Sequence, residues 1–156
     1  MSRFSKVLKV AKLGLQFACF AHAFNQYVAE VTWCLGPSML PYFNTSGIVA
    51  IEHISRHFKE YAIGDVVICT SPLRPGRNVL KRIIGMPGDN ICEDPTEKDR
   101  KYISVPVGHV WVGGDNLSNS TDSRTYGPVA MGLIKGKVFA KVWPEPEFLR
   151  NNLVPV

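Results

Sequence analysis

The chain has 156 residues, 46% hydrophobic and 20% charged, a balance that gives one compact domain a sizeable core and excludes a disordered chain. Eighteen Lys and Arg against thirteen Asp and Glu leave a net charge of +5, which favours anionic surfaces. The basic residues form no nucleic-acid-binding motif, so membrane lipid is the expected partner and nucleic acid is not.

Arg3, Lys6, Lys9 and Lys12 precede Leu13 to Ala29, a stretch of 17 residues without Asp, Glu, Lys or Arg. A bilayer-spanning helix needs roughly 17 to 25 residues, and its basic flank stays on the inner side. Two other readings compete with a span. One is a cleavable signal ending at Ala21-His22-Ala23; the other is an interfacial helix with Leu13, Phe17, Phe20, Phe24 and Val28 on one face and His22, Gln26 and Glu30 opposite. The span is preferred, because cleavage would remove the only anchor. His22, Asn25, Gln26 and Glu30 are costly in lipid and mark a possible contact with a helix of another subunit.

Beyond this segment the chain reads as mainly β. Short apolar or alternating runs occur at Ile48 to Ile51, Val66 to Thr70, Val79 to Ile84, Tyr102 to Val105, His109 to Val112 and Val138 to Val142. Gly64-Asp65, Gly88-Asp89 and Gly114-Asp115 are turn signals, and five prolines from Pro72 to Pro106 disfavour long helices there. Cys92 to Lys101 is charged and expected to be a solvated loop. The organisation expected is a basic flank and anchor helix over residues 1–33, a β-rich domain over 34–145 and a surface tail over 146–156. Cys19, Cys34, Cys69 and Cys92 lack metal-ligand spacing and are expected as free thiols. The four histidines form no triad or metal arrangement.

Two segments carry chemistry. Gly36-Pro37-Ser38-Met39-Leu40-Pro41 offers a serine; Lys81-Arg82-Ile83-Ile84-Gly85-Met86-Pro87-Gly88-Asp89 offers a lysine 43 residues later in an apolar run. A serine hydroxyl needs a neighbour to take its proton, and a lysine desolvated beside Val79, Leu80, Ile83 and Ile84 can do this at a pKa of roughly 7 or 8. The third block is Gly114-Asp115-Asn116-Leu117-Ser118-Asn119-Ser120-Thr121-Asp122-Ser123-Arg124. Together with Gly64-Asp65-Val66-Val67-Ile68, these blocks resemble the ordered signature of the type I signal peptidase family, over about Leu13 to Pro144. Around Ser120 to Val129 the likeness is to the mitochondrial branch.

The resemblance implies a signal-peptidase-like antiparallel β-sheet catalytic domain behind one transmembrane helix, acting without metal or organic cofactor. Ser38 would attack the scissile carbonyl of an extended substrate and Lys81 would move the proton. Ser120 would hydrogen-bond the lysine, while Asp115, Asp122 and Arg124 would hold the loop in shape through an ion pair. Met39, Val79 and Leu80 would line pockets for small substrate side chains. Gly36 replaces a serine that some bacterial relatives contribute to the oxyanion hole, so backbone N–H groups, including that of Ser38, must fill that role. The mitochondrial likeness further implies removal of sorting peptides from precursor proteins at the inner membrane, with the catalytic domain facing the intermembrane space and a second protease subunit as partner. A bacterial-type signal peptidase at a plasma membrane and a non-catalytic partner subunit on the same scaffold are the alternatives. Self-cleaving repressor-type proteases also use serine and lysine, but the Gly114-Asp115-Asn116 block and the anchor argue against them.

Overall fold

The computed structural model describes residues 3–58, 60–96 and 98–151. It begins with helix α1 (Arg3–Tyr27), which is long and apolar enough over Lys6–Tyr27 to cross a membrane and has none of that span buried. The helix ends earlier than the apolar stretch suggests. Its last turn closes with the Val28 N–H donating to the Phe24 carbonyl at 2.8 Å, and from Ala29 the chain is a strand. Val31, Thr32 and Trp33 are β-branched or aromatic, which favours a pleated surface over another helical turn. Glu30, expected on the polar face of the helix, is therefore a strand residue, and its carboxylate lies 3.9 Å from the His53 ring.

Strand β1 (Ala29–Leu35) crosses residue 33, where the anchor was expected to give way to the β-rich domain. It pairs antiparallel with β2 (Ser46–Glu52), from Ala29 opposite Glu52 to Leu35 opposite Ser46. A short helix, α2 (Ile54–Phe58), follows, then β3 (Val66–Thr70) and β4 (Asn78–Gly85) form a hairpin. A two-stranded ribbon of β5 (Asn90–Cys92) and β6 (Tyr102–Ser104) carries the charged loop expected between Cys92 and Lys101; Glu97 lies outside the described residues. The chain returns through β7 (His109–Gly113), helix α3 (Ser123–Tyr126), β8 (Val129–Ala130), the long β9 (Ile134–Trp143) and β10 (Glu147–Phe148).

The main sheet is antiparallel and curled, in the order β1-β2-β9-β3-β4-β7-β8, with β10 paired to β9. The stretch expected as a tail thus adds a short strand, and Asn151 donates to the Ile63 carbonyl at 2.7 Å; residues 152–156 lie outside the described set.

Strand alternation sorts the core into two clusters. Val67 pairs with Lys81 and Cys69 with Val79, and this face packs with Ile83, Val110, Val112, Val129 and Ile134. On the opposite face Ile68 pairs with Leu80, in a cluster with Met39, Phe43, Val49, Ile51, Val66 and Val138. Lys81 consequently rises from the floor of an apolar layer, where burial is dictated by its register rather than by its own chemistry. All four cysteines are unpaired.

Candidate active site

Ser38 sits in a single 3-10 turn, Pro37–Met39, anchored by the burial of Met39 in the second core cluster. The turn is entered through Gly36 at φ 131°, ψ 156°, a backbone conformation that side-chain-bearing residues rarely adopt. No atom lies within 4 Å of where a Cβ would stand, so the glycine is required by backbone conformation and not by crowding.

The exit from β1 brings this turn over β4, and the Lys81 ammonium donates to Ser38 Oγ at 3.1 Å and to the Leu80 carbonyl at 3.1 Å. Lys81 is 3% exposed. Burial pushes its pKa below the usual lysine value; the carboxylate of Asp122 opposes this and Arg77 reinforces it. Cys69, beside it in the apolar layer, is itself pushed up to about 11 by burial, against the opposing pull of Lys81, and so remains a thiol at neutral pH.

A loop from the far side of the sheet holds the serine turn in place. Asn116 donates its backbone N–H to the Ser38 carbonyl at 3.0 Å and its Nδ2 to the Pro37 carbonyl at 3.1 Å. Gly114 makes this approach possible, since a Cβ there would stand 2.5 Å from the Ser38 carbonyl oxygen and against the Ser120 hydroxyl. The loop is braced in turn by Asp122, which is fully buried. Asp122 caps α3, accepts from the Gly114 N–H at 3.0 Å and takes both the Nε (2.9 Å) and Nη2 (3.0 Å) of Arg124. Burial alone would raise the Asp122 pKa, but the hydrogen bonds from Arg124 and Gly114, with a further contribution from Ser120, outweigh it and hold the carboxylate below its usual value.

The expected loop-bracing pair is thus Asp122 with Arg124, while Asp115 pairs elsewhere. Arg82 grips Asp115 bidentately at 2.8 and 2.7 Å and donates to the Gly64 carbonyl at 2.9 Å, tying the loop to β4 one residue beyond Lys81. The Ser120 hydroxyl is buried beside Gly114 on the side of Asp122, and the Lys81 ammonium bonds Ser38 and Leu80 rather than Ser120. Met39, Val79 and Leu80 all border the groove that contains Ser38 and Lys81, a cleft of about 400 Å³ running between β1 and the β3–β4 hairpin. Met39 is 2% exposed, so it serves the core more than the groove floor. Arg82, Gly114 and Asn116 join the site without a sequence signal of their own, although all three stand inside its motifs.

The groove thus brings a serine hydroxyl into contact with a buried lysine of lowered pKa. The signal peptidase family, peptidase S26, matches residues 7–103 and 93–143. The human mitochondrial inner membrane protease subunit 1 is 46% identical over 144 residues, covering 92% of this chain and 87% of that protein. Its counterpart from Schizosaccharomyces pombe is 47% identical, covering 89% of each. The zebrafish (Danio rerio) mitochondrial inner membrane protease subunit 2 is 35% identical, covering 80% of this chain and 68% of that protein. The chain belongs to the signal peptidase family, peptidase S26, and is by that membership a serine-type peptidase.

Proposed function

We propose that this chain is a membrane-anchored serine endopeptidase that removes sorting peptides from precursor proteins at the mitochondrial inner membrane, using Ser38 and Lys81 as its catalytic dyad. The observation that carries the dyad is the 3.1 Å bond between a serine hydroxyl and a lysine whose pKa burial has lowered. The compartment and substrate class follow from relatives named as mitochondrial inner membrane protease subunits.

In the mechanism, neutral Lys81 takes the proton of Ser38 Oγ as the oxygen attacks the scissile carbonyl, then delivers that proton to the leaving amine. The resulting acyl-enzyme is hydrolysed by a water that Lys81 deprotonates. Among the described residues the Ser38 N–H donates no hydrogen bond, which leaves it available to the oxyanion, and the Pro37 nitrogen has no proton to give. Ser120 supports the lysine. In this reading its buried hydroxyl receives the ammonium once Lys81 has taken the serine proton. Asp115, Asp122, Arg124 and Gly36 hold the frame, and Val79 and Leu80 contact the substrate.

With α1 spanning the bilayer and Lys6, Lys9 and Lys12 kept on the matrix side, the catalytic domain faces the intermembrane space. The relatives' names as subunits 1 and 2 support a second, homologous subunit as partner. Replacing the resident copy in mitochondria with this chain tests the whole reading. Wild type is expected to yield mature precursors and Ser38→Ala, at matched protein level, none; equal processing by both would remove the serine from its role.

A further inference from the structure

Strand β10 stands beside the serine turn rather than away from it. Its register sets Glu147 opposite Lys141 of β9, and just beyond it the Leu149 N–H donates to the Phe139 carbonyl at 2.8 Å. Leu149 packs against the second core cluster, which contains Met39 and Phe43 from the serine turn and its continuation. Glu147 forms an ion pair with the Lys141 ammonium. Lys141 in turn borders the groove that holds Ser38, with its side chain only 15% exposed.

The contacts of Lys141 lead to the nucleophile through Tyr42. From the 3-10 turn at Ser38 the chain bends on to Phe43, whose N–H donates to the Met39 carbonyl at 2.9 Å, while that of Leu40 donates to the Pro37 carbonyl at 3.2 Å. The Lys141 ammonium donates to the Tyr42 carbonyl at 3.3 Å and stands 4.5 Å from the centre of the Tyr42 ring. The Arg82 guanidinium lies 5.3 Å from the same ring centre. A cation within about 6 Å of an aromatic ring is attracted to its face. Tyr42 therefore joins β9 to the residue next to Lys81, so the loop carrying the serine and the strand carrying the lysine share one aromatic fastening. Two cations around one ring repel each other, and each has its own carboxylate, Asp115 for Arg82 and Glu147 for Lys141. Glu147 thus offsets the repulsion that would otherwise drive Lys141 off the ring.

We propose that Lys141, neutralised by Glu147, is a positioning residue for Ser38 that acts through Tyr42, which makes β10 part of the catalytic frame. This rests on the peptidase reading of the same groove. Lys141 holds the far end of the loop whose near end Asn116 grips, and a displacement of about 1 Å at a reacting atom can cost roughly 100-fold in rate. The kinetic mark of such a residue is a loss in kcat with KM preserved. The pH midpoint should stay in place, because the charges acting on Lys81 are those of Asp122, Arg77 and Asp115, and Lys141 is not among them.

The test uses the full chain in detergent and peptides spanning the sorting-peptide junctions of inner-membrane precursors, and it reads kcat, KM and the hydrogen exchange of the amides from Ser38 to Phe43. Lys141→Met and Tyr42→Leu should each lower kcat about tenfold with KM within about twofold, and the double variant should be no worse than either single one. Lys141→Arg should restore most of the rate lost in Lys141→Met. Glu147→Gln should lose less, about threefold, because its half-exposed pair is weak, and added salt should reproduce part of that loss in wild type. Exchange should quicken from Ser38 to Phe43 while the amides of β7 keep their protection, which separates a loosened turn from a weakened fold. An unchanged kcat in Lys141→Met, an equal loss in Lys141→Arg or additive losses in the double variant would overturn the proposal. A shifted pH midpoint with the plateau unchanged would assign Lys141 an action on Lys81 instead and overturn it too. Quickened exchange at the turn without cleavage by wild type would overturn the peptidase reading and leave the fastening, whereas cleavage with exchange unchanged in Lys141→Met would overturn the fastening alone.

Discussion

Lys81 meets two opposing demands, and its burial sets which one prevails. Its register opposite Val67 places it in an apolar layer, so the ammonium is penalised and the neutral amine that accepts a proton is favoured. With Lys81 as the proposed base the competent form is the deprotonated one, so kcat/KM should rise with pH through a midpoint below the free lysine value of about 10.4 and fall away on acidification. A rate independent of pH from neutral to alkaline, with chemistry rate-limiting, would remove Lys81 as the base. The same displacement acts on stability. Because the folded pKa lies below the unfolded one, the unfolded chain binds the extra proton between them, and Lys81 destabilises the fold increasingly as pH falls, by about 1.4 kcal/mol per unit of displacement. Lys81→Met should therefore be inactive yet melt at a higher temperature than wild type at neutral pH. Lys81→Arg should also be inactive, because a guanidinium does not give up its proton in a protein. Gly36→Ser, at φ 131°, should cost about 1 to 3 kcal/mol in a denaturant titration rather than add an oxyanion donor.

At the scale of elements, the loop from Gly114 to Arg124 works as a clamp on the serine turn. Asn116→Ala removes the bond to the Pro37 carbonyl and should lower kcat more than it raises KM, since the turn is loosened while the groove walls stay. Asp122→Asn should be more severe for the fold. It weakens the hold on a nearly buried Arg124, whose side chain is 13% exposed, and a loss of about 3 kcal/mol is expected by chemical denaturation. These elements also show what the sequence makes legible. Ser38 and Lys81 stand out because their motifs are local, and six strands were anticipated because their alternation is local too. Strand β1 was hidden, since its apolar residues continue those of α1 and a short apolar run does not distinguish strand from helix. The pairing of Arg82 with Asp115 was hidden for a different reason: it depends on β4 lying beside β7, with Arg82 opposite Gly113, a register that only the assembled sheet defines. Asn116 stands inside a legible motif, but its contact with the Pro37 carbonyl spans 79 positions of chain.

For the molecule as a whole, exposed apolar surface does not end with α1. Val31, Trp33 and Leu35 on the outward face of β1 are 62%, 56% and 74% exposed, and Trp33 lies 5.9 Å from Trp143, itself 50% exposed. Tryptophan is favoured at the bilayer surface, so this edge, which also borders the groove, is expected to meet lipid. A chain beginning at Val28 should still cosediment with vesicles, and replacing Trp33 and Trp143 together by Ser should release it; retention by both proteins equally would locate the attachment elsewhere.

The clamp on Ser38 also sets a schedule. The chain contributes its serine early and the asparagine that steadies it only after four further strands and the β5–β6 ribbon have been completed. A polypeptide threading through a membrane from its N-terminus therefore carries its nucleophile in an unassembled state for most of the journey. The serine turn reaches its braced geometry only when the last third of the sequence has arrived and folded, so a truncated or stalled chain is expected to be inert.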